Sequence, residues 1–482
     1  MPKKSRGLLL ASMALAVAAG LAVLFLSSEG SDSAASAQAA KKPNIVFILA
    51  DDMRYDDLKY MPKTRSLLQN KGMSFKKAFV SNALCCPSRA TIMRGQYSHN
   101  TGVWSNSSSD SPSTTSGGWQ AYKVNGDEQD NVATRLDAAG YRTGLFGKYL
   151  NGYDRSVVPG GWDYWFGGVR MEGSEYHNYD INDNGTIRHF GRDSSDYLTD
   201  VLSRQTKQFI GTSTAQGKPF FAYVAPTAPH TPDTPAPRDL HTYNSVKAPR
   251  SPSFNEADVT DKPSWIRSLP RLGSHKISQI DTMQQKRAET LQALDDLVAG
   301  VVNKLNNAGA MSNTYVFFTS DNGWHQGEHR IPNGKWRPYE EDIHMPLLVR
   351  GPGVTVGHDG RKLVLNTDYL PTFTDLAGTQ TPSYVDGRSL RPVLEGSPTT
   401  WRSAILLEGV QHFSPAYAGT RTSDKKYVEY SGGKRELYNL GVDPYELTNR
   451  YKASTSPASL ASRLRALKSC AANTCRAAEN GQ

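Results

Sequence analysis

Only four of the 482 residues are cysteine, too few to staple a small core-poor domain, so a disulfide scaffold is excluded. Charged residues make up 21% and hydrophobic ones 38%, a balance that excludes a disordered chain. Glycine and proline, 41 and 27 of them, follow no period and exclude a collagen-like repeat. No longer internal repeat exists either, which argues against a solenoid. Beyond Leu26 no apolar run is long enough to cross a bilayer. What remains fits one large α/β domain with an appendage, or several domains. The formal charge of +9 has two readings: attraction for an anionic partner such as a sulfated or phosphorylated glycan, or a solubility feature. No nucleic-acid motif accompanies it, and no nucleic-acid partner is expected.

Lys3, Lys4 and Arg6 precede an apolar run from Gly7 to Leu26, followed by Ala35-Ser36-Ala37-Gln38-Ala39. This is the three-part layout of a secretory signal with a small-residue cleavage site. Residues 1–40 are therefore read as an export segment, cleaved to leave a secreted or extracytoplasmic protein free of the membrane. The rival reading is an uncleaved anchor on the same exported domain, since about 20 apolar residues also span a bilayer. Export permits a disulfide between Cys470 and Cys475; the alternative is two free thiols in a frayed tail.

Asn44–Ala50 is a continuous apolar run bounded by Pro43 and Asp51, the pattern of a strand buried on both faces in a parallel sheet. Similar runs recur at Tyr141–Gly147, Pro219–Ala225, Thr314–Thr319 and Pro346–Val349. Helical patterns lie near Thr64–Asn70, Val132–Ala139, Tyr197–Ile210 and Met283–Leu305. The alternation predicts an α/β sheet with helices on both faces. Ser105–Gly118 and the Pro-rich stretch from Pro226 to Pro270 read as surface loops. After about Gly378 only short strand-like pieces remain (Ala404–Leu407, Lys426–Tyr430, Arg435–Tyr438), with a helix near Ser459–Lys468. We assign residues 41–380 to a catalytic domain and 381–482 to a smaller C-terminal α+β subdomain.

In open α/β sheets ligands bind beyond the carboxyl ends of the strands. The strand ends here carry Asp51-Asp52, Gly147-Lys148, Pro229-His230 and Ser320-Asp321-Asn322-Gly323. Adjacent carboxylates repel unless a cation sits between them. Asp51, Asp52, Asp321 and Asn322 offer only oxygen, which points to Ca²⁺ or Mg²⁺ rather than Zn²⁺; alone, an Asp-Asp pair is equally a cap or a solvated turn. His325 and His329 have zinc-helix spacing, but Gln326 stands where that motif needs Glu and Gly327 weakens a helix, so zinc is not expected. Cys85-Cys86-Pro87-Ser88-Arg89 opens a helix that Gly95 closes. A helix N-terminus favours anions and acidifies a thiol, so Cys85 reads as a thiolate nucleophile, a vicinal disulfide partner or a buried thiol.

The C-x-P-S-R stretch with Ile92, Met93 and Gly95 resembles the signature of the type I sulfatases. The same family shares Asp51-Asp52 after the first strand, Gly147-Lys148, Ala228-Pro229-His230, Ser320 to Gly323, Pro346 to Gly353, and Glu436 to Leu440 with Asp443-Pro444. The resemblance runs in order from Pro43 to Asn449. Ala83 to Arg89, Gly147 to Asn151 and Tyr369–Gly378 look most like the N-acetylglucosamine-6-sulfatase branch.

The resemblance implies an alkaline-phosphatase-like fold and oxidation of Cys85 to Cα-formylglycine by a formylglycine-generating enzyme. It implies one Ca²⁺ (Mg²⁺ as the alternative) held by Asp51, Asp52, residue 85, Asp321 and Asn322. It also implies a hydrated aldehyde that attacks sulfur while the cation, Arg89, Lys148 and Lys335 neutralise the sulfuryl oxygens and His230 protonates the leaving alcohol. Many relatives have His two residues after the Gly-Lys lysine; here Leu150 stands there, so the base is unassigned, with His325 one candidate. The expected activity is hydrolysis of an O-sulfate, the 6-O-sulfate of N-acetylglucosamine in a glycan. The alternatives are a phosphodiesterase or phosphonate monoester hydrolase of the same fold, and a catalytically silent glycan-binding protein. Aromatics around Gly167–Asn184 (Tyr164, Trp165, Tyr176, Tyr179) read either as sugar platforms or as packing.

Overall fold

In the computed structural model the described residues are 41–110, 116–168, 176–359, 361–397, 400–412, 414–455 and 457–482. The export segment at 1–40, part of the Ser-rich loop (111–115) and part of the aromatic stretch (169–175) lie outside them. The strands among the described residues are β1 (Asn44–Ala50), β2 (Met73–Phe75), β3 (Ala78–Phe79), β4 (Arg142–Gly147), β5 (Tyr164–Gly168), β6 (Tyr179–Asp183), β7 (Thr186–Phe190), β8 (Phe220–Ala225), β9 (Thr314–Ser320), β10 (Leu347–Arg350), β11 (Gly357–Asp359), β12 (Val364–Leu365), β13 (Ala404–Gly409), β14 (Tyr417–Thr422), β15 (Lys425–Tyr430) and β16 (Arg435–Asn439).

Ten of them form one mixed sheet in the order β11-β2-β10-β9-β1-β8-β4-β5-β6-β7. Its centre, β9-β1-β8-β4-β5, is parallel. The run at Pro346–Val349 becomes β10, which lies antiparallel to β9, so the sheet is mixed at that side of its parallel centre. Alternate side chains of β1 go to opposite faces, as period two requires. Ile45, Phe47 and Leu49 pack under α1 (Cys85–Arg94), α2 (Val132–Ala138) and α5 (Tyr369–Leu376). Val46, Ile48 and Ala50 pack under α3 (Leu198–Ala215) and α4 (Ser274–Asn307). Each large apolar side chain buried this way contributes about 1.5–3 kcal/mol.

The expected helix at Thr64–Asn70 is a short α turn at Pro62–Thr64 continued by a π turn at Arg65–Gln69. Strands β5, β6 and β7 have no counterpart in the sequence reading. Trp165, Tyr176 and Tyr179 are buried, and Trp165 packs edge-on to Tyr149, so these rings are core and not sugar platforms.

Strands β13 to β16 form an antiparallel meander covered by α6 (Ala458–Leu467) and α7 (Asn473–Asn480). Its core includes Phe79, Val80, Tyr97 and Met345 from the main part, and Lys41–Gln482 packs as one compact unit. A disulfide joins Cys470 to Cys475. The tail beyond it is not frayed: in α7, Glu479 is fully buried and accepts hydrogen bonds from Tyr97, Arg388 and Arg402. No helix among the described residues is long and apolar enough to cross a membrane.

Candidate active site at the carboxyl ends of four strands

In-register pairing of β1 with β9 (Ala50 opposite Ser320) makes the next residues of both strands emerge side by side. The N–H of Asp321 donates to Ala50 O (3.1 Å) and that of Asp52 to Asp321 Oδ1 (3.1 Å). Asp52 turns the chain with φ of 63°, a left-handed conformation that Asp tolerates better than most residues. Asn322 Nδ2 donates to Asp52 Oδ1 at 2.6 Å. Beyond β8, His230 points Nε2 toward Asp52 Oδ2 at 3.6 Å. Its Nδ1 donates to Thr231 O at 2.6 Å, which fixes that ring face and leaves Nε2 for the site. Beyond β4, Lys148 donates from its backbone to Ala225 O (2.8 Å) and from Nζ to Asp51 Oδ2 (2.5 Å).

Helix α1 starts at Cys85 and is buried through Met93; Gly95, at φ 67°, ends it by donating to Thr91 O. The Cys86 N–H in its first turn donates to Asn106 Oδ1 at 2.9 Å. Cys85 Sγ lies 3.5 Å from Asp51 Oδ1 and 4.0 Å from Asp52 Oδ1. Lys335 reaches the same point, with Nζ 2.7 Å from Cys85 Sγ and in contact with Asp52 Oδ1. One turn into α1, Arg89 donates from Nε to Asp321 Oδ2 (2.8 Å) and from Nη1 to Lys148 O (3.0 Å). All nine residues read from the sequence as catalytic or metal-binding therefore meet at one rim.

Burial opposes charge throughout this cluster. Even so, Lys148, His230, Arg89 and Lys335 hold Asp51 well below the usual carboxylate range. Asp52 is likewise lowered, mainly by Lys335 and His230. Asp321 is pushed up by burial and by Asp51 despite its bond to Arg89, the signature of carboxylates that still repel. Burial pushes the Cys85 thiol up to about 12, outweighing Lys148 and Lys335. Burial thus opposes the acidifying effect of the helix N-terminus and of the two lysines at this position.

The donor set fits a hard cation. Asp52 Oδ2 and Asn322 Oδ1 are buried without a hydrogen-bond partner, and one ligand atom each from Asp51, Asp52, Cys85 and His230 lie within 4.8 Å of one another. Carboxylate and amide oxygens around a single point suit Ca²⁺ or Mg²⁺.

His325 and His329 stay out of this cluster. His325 pairs through Nδ1 with Asp342 (2.6 Å), and its backbone N–H donates to Gly334 O (2.7 Å). His329 pairs with Glu256 and is kept neutral by burial. Asp342 also accepts from the Arg337 N–H at 3.0 Å, so His325 and Asp342 clamp the loop that delivers Lys335. Two supports escaped the sequence reading. Asn106 caps α1 across twenty residues of chain. Arg287, fully buried on α4, donates to Asp52 O (2.7 Å) and Asp57 Oδ2 (2.8 Å). The signal for Arg287 was there: it occupies the apolar stripe of α4 between Gln284 and Leu291, where an unpaired cation would be costly. Leu150 is buried.

The sheet between two helix layers, with cationic side chains gathered around Cys85 beyond its central strands, is an alkaline-phosphatase-like fold. Residues 43–379 match the Sulfatase family, and residues 327–470 match the family described as N-sulphoglucosamine sulphohydrolase, C-terminal. The chain belongs to the sulfatase family and is a sulfuric ester hydrolase. It is 36% identical to an N-acetylglucosamine-6-sulfatase from Capra hircus, over 92% of this chain and 86% of the relative. It is 38% identical to the Extracellular sulfatase SULF-1 homolog of Drosophila melanogaster, over 76% of this chain and 33% of that one. A solved structure in complex with its substrate D-glucosamine-2-N,6-O-disulfate shares the fold with a TM-score of 0.75 at 23% identity, covering 92% of this chain and 100% of that one. The phosphonate monoester hydrolase of Agrobacterium radiobacter shares it at 0.64 and 23%, covering 85% and 91%.

Proposed function

We propose that this sulfatase removes the 6-O-sulfate from N-acetylglucosamine units of a glycan outside the cytoplasm. Likeness to N-acetylglucosamine-6-sulfatases along 92% of the chain carries the substrate reading. The convergence of Cys85, Arg89, Lys148, His230 and Lys335 on Asp51, Asp52, Asp321 and Asn322 supports their assignment as the site. Cys85 is 1% exposed, which favours its conversion to Cα-formylglycine by a formylglycine-generating enzyme before the chain folds. A hydrated aldehyde at position 85 would supply paired hydroxyls, and Asp51, Asp52, Asp321 and Asn322 would hold a Ca²⁺ that would supply positive charge to the site.

The chain's own residues do the rest. Lys335, seated between Asp52 and position 85, and Lys148, seated on Asp51, present ammonium groups to the transferring sulfuryl group. Arg89 spans Asp321 and the Lys148 backbone, so it fixes the carboxylates and the lysine relative to α1. His230, with Nδ1 committed to Thr231 O, offers Nε2 to the bridging oxygen and delivers a proton to the departing alcohol. Sulfate release from the 6-sulfate of an N-acetylglucosamine glycoside, assayed beside its 3-sulfate isomer and an aryl phosphodiester, tests the reading. Preference for the 6-sulfate is expected; faster phosphodiester cleavage would favour the phosphonate hydrolase alternative, and no turnover of any ester would favour a silent glycan-binding protein.

A further inference from the structure

A second anionic-ligand site is suggested by a cleft of about 730 Å³ beside the C-terminal sheet, lined in part by Arg361, Lys425, Arg450 and Arg463, with Asp424 as its acidic residue. Lys425 opens β15. Arg450 is held by its N–H bond to Leu437 O at 2.8 Å. Arg463 projects from α6 and touches Ser403 Oγ at 2.8 Å. No carboxylate pairs with Lys425, Arg450 or Arg463 among the described residues. This contrasts with Arg402 in the same wall, which is fully buried and neutralised by Asp368 and Glu479. Three cations facing one cleft with a single carboxylate, Asp424, in its lining repel one another. The arrangement is relieved by an anion, and its size is that of a cleft for a short oligosaccharide. The cleft shares no lining residue with the Cys85 cluster.

We propose that this cleft is an accessory site that holds a sulfated stretch of the glycan chain while another stretch occupies the active site. The inference rests on the glycan reading above, which supplies a ligand bearing anionic groups along its length. Nucleic acid fits less well, because the one aromatic ring in the lining, Tyr438, is buried and offers no face for base stacking.

The test uses the whole protein and a heparin octasaccharide as probe. The double variant Lys425→Glu/Arg450→Glu alters two exposed side chains and is compared with wild type, with Lys425→Gln/Arg450→Gln, and with Lys218→Glu as a charge control elsewhere on the surface. The account expects the charge-reversed protein to bind the octasaccharide about tenfold more weakly and with a shallower salt dependence. The Gln variant should fall between, and Lys218→Glu should match wild type. On an aryl sulfate all four should turn over alike, whereas on the sulfated polymer KM should rise with kcat unchanged. Equal octasaccharide affinity for wild type and the charge-reversed protein would overturn the proposal, as would an equal loss of affinity for a short DNA duplex. Affinity is read independently of turnover, so a protein inactive on the 6-sulfate would remove the substrate reading and leave the accessory site to be judged by binding.

Discussion

At position 85 the chain places a thiol where burial keeps it protonated, 2.7 Å from a lysine ammonium and beside two carboxylates. A protonated thiol is a weak nucleophile, which supports the proposed conversion of Cys85 to an aldehyde. Replacing Cys85 with Ala should lower sulfate release by at least about a thousandfold. Cys86→Ala should leave it near wild type, since the contact Cys86 makes with Asn106 runs through its backbone N–H. Measuring released sulfate with both variants separates the two; loss of activity in Cys86→Ala alone would reassign the nucleophile. Lys335→Ala removes an ammonium from the transferring group and should lower kcat roughly a hundred- to a thousandfold. Removing divalent ions with a chelator should abolish turnover, and Ca²⁺ or Mg²⁺ should restore it. Full activity after exhaustive chelation would contradict the reading of Asp51, Asp52, Asp321 and Asn322.

The elements deliver these groups through backbone geometry. Gly147 ends β4 at φ 106°, and a Cβ there would sit 2.2 Å from Ala225 O. Gly147→Ala should therefore break the β4–β8 contact that seats Lys148, lowering stability by several kcal/mol and activity with it, as urea unfolding and sulfate release would report. His99, in the helical turn Ser98–Thr101, has a predictable pH signature. Although burial opposes its charge, bonding to Glu408 raises it to about 9. Because the folded value lies above the unfolded one, its stabilisation is complete below about pH 6.5 and is lost as pH rises through 9. His99→Gln should flatten the fall in urea stability over that window; an unchanged slope would show that the pair contributes nothing.

The strands that carry the site were legible because each is an apolar run of six or seven residues, too short for a buried helix and bounded by Pro, Gly or Asp. β5, β6 and β7 were not: β5 is short and ends in Gly167-Gly168, β6 interleaves Asp and Asn with its apolar residues, and β7 is exposed over most of its length, so none shows a continuous apolar run. The His325–Asp342 clamp on the Lys335 loop was hidden as well, since a pair seventeen residues apart becomes a contact only through a loop that sequence spacing does not describe.

Across the molecule, the C-terminal meander is tied to the catalytic part by a buried charge network. Glu479 on α7 receives Arg388, Arg402 and the Tyr97 hydroxyl, and Asp368 takes the other side of Arg402. Glu479→Ala leaves buried guanidinium groups underpaired and should cost about 3–5 kcal/mol in urea unfolding. A loss below about 1 kcal/mol, the range of a surface pair, would show that the tail merely rests on the main part. β13 is also joined to Ser81, whose carbonyl accepts the Glu408 N–H at 2.9 Å, four residues before Cys85. The meander thus braces the entry to α1 as well as walling the cationic cleft.

The most direct test is the mass of the tryptic peptide Ala78–Arg89 from catalytically active protein. The account predicts that residue 85 has exchanged its CH₂SH for an aldehyde while Cys86 keeps its thiol. Fully active protein whose peptide carries both thiols intact would contradict it.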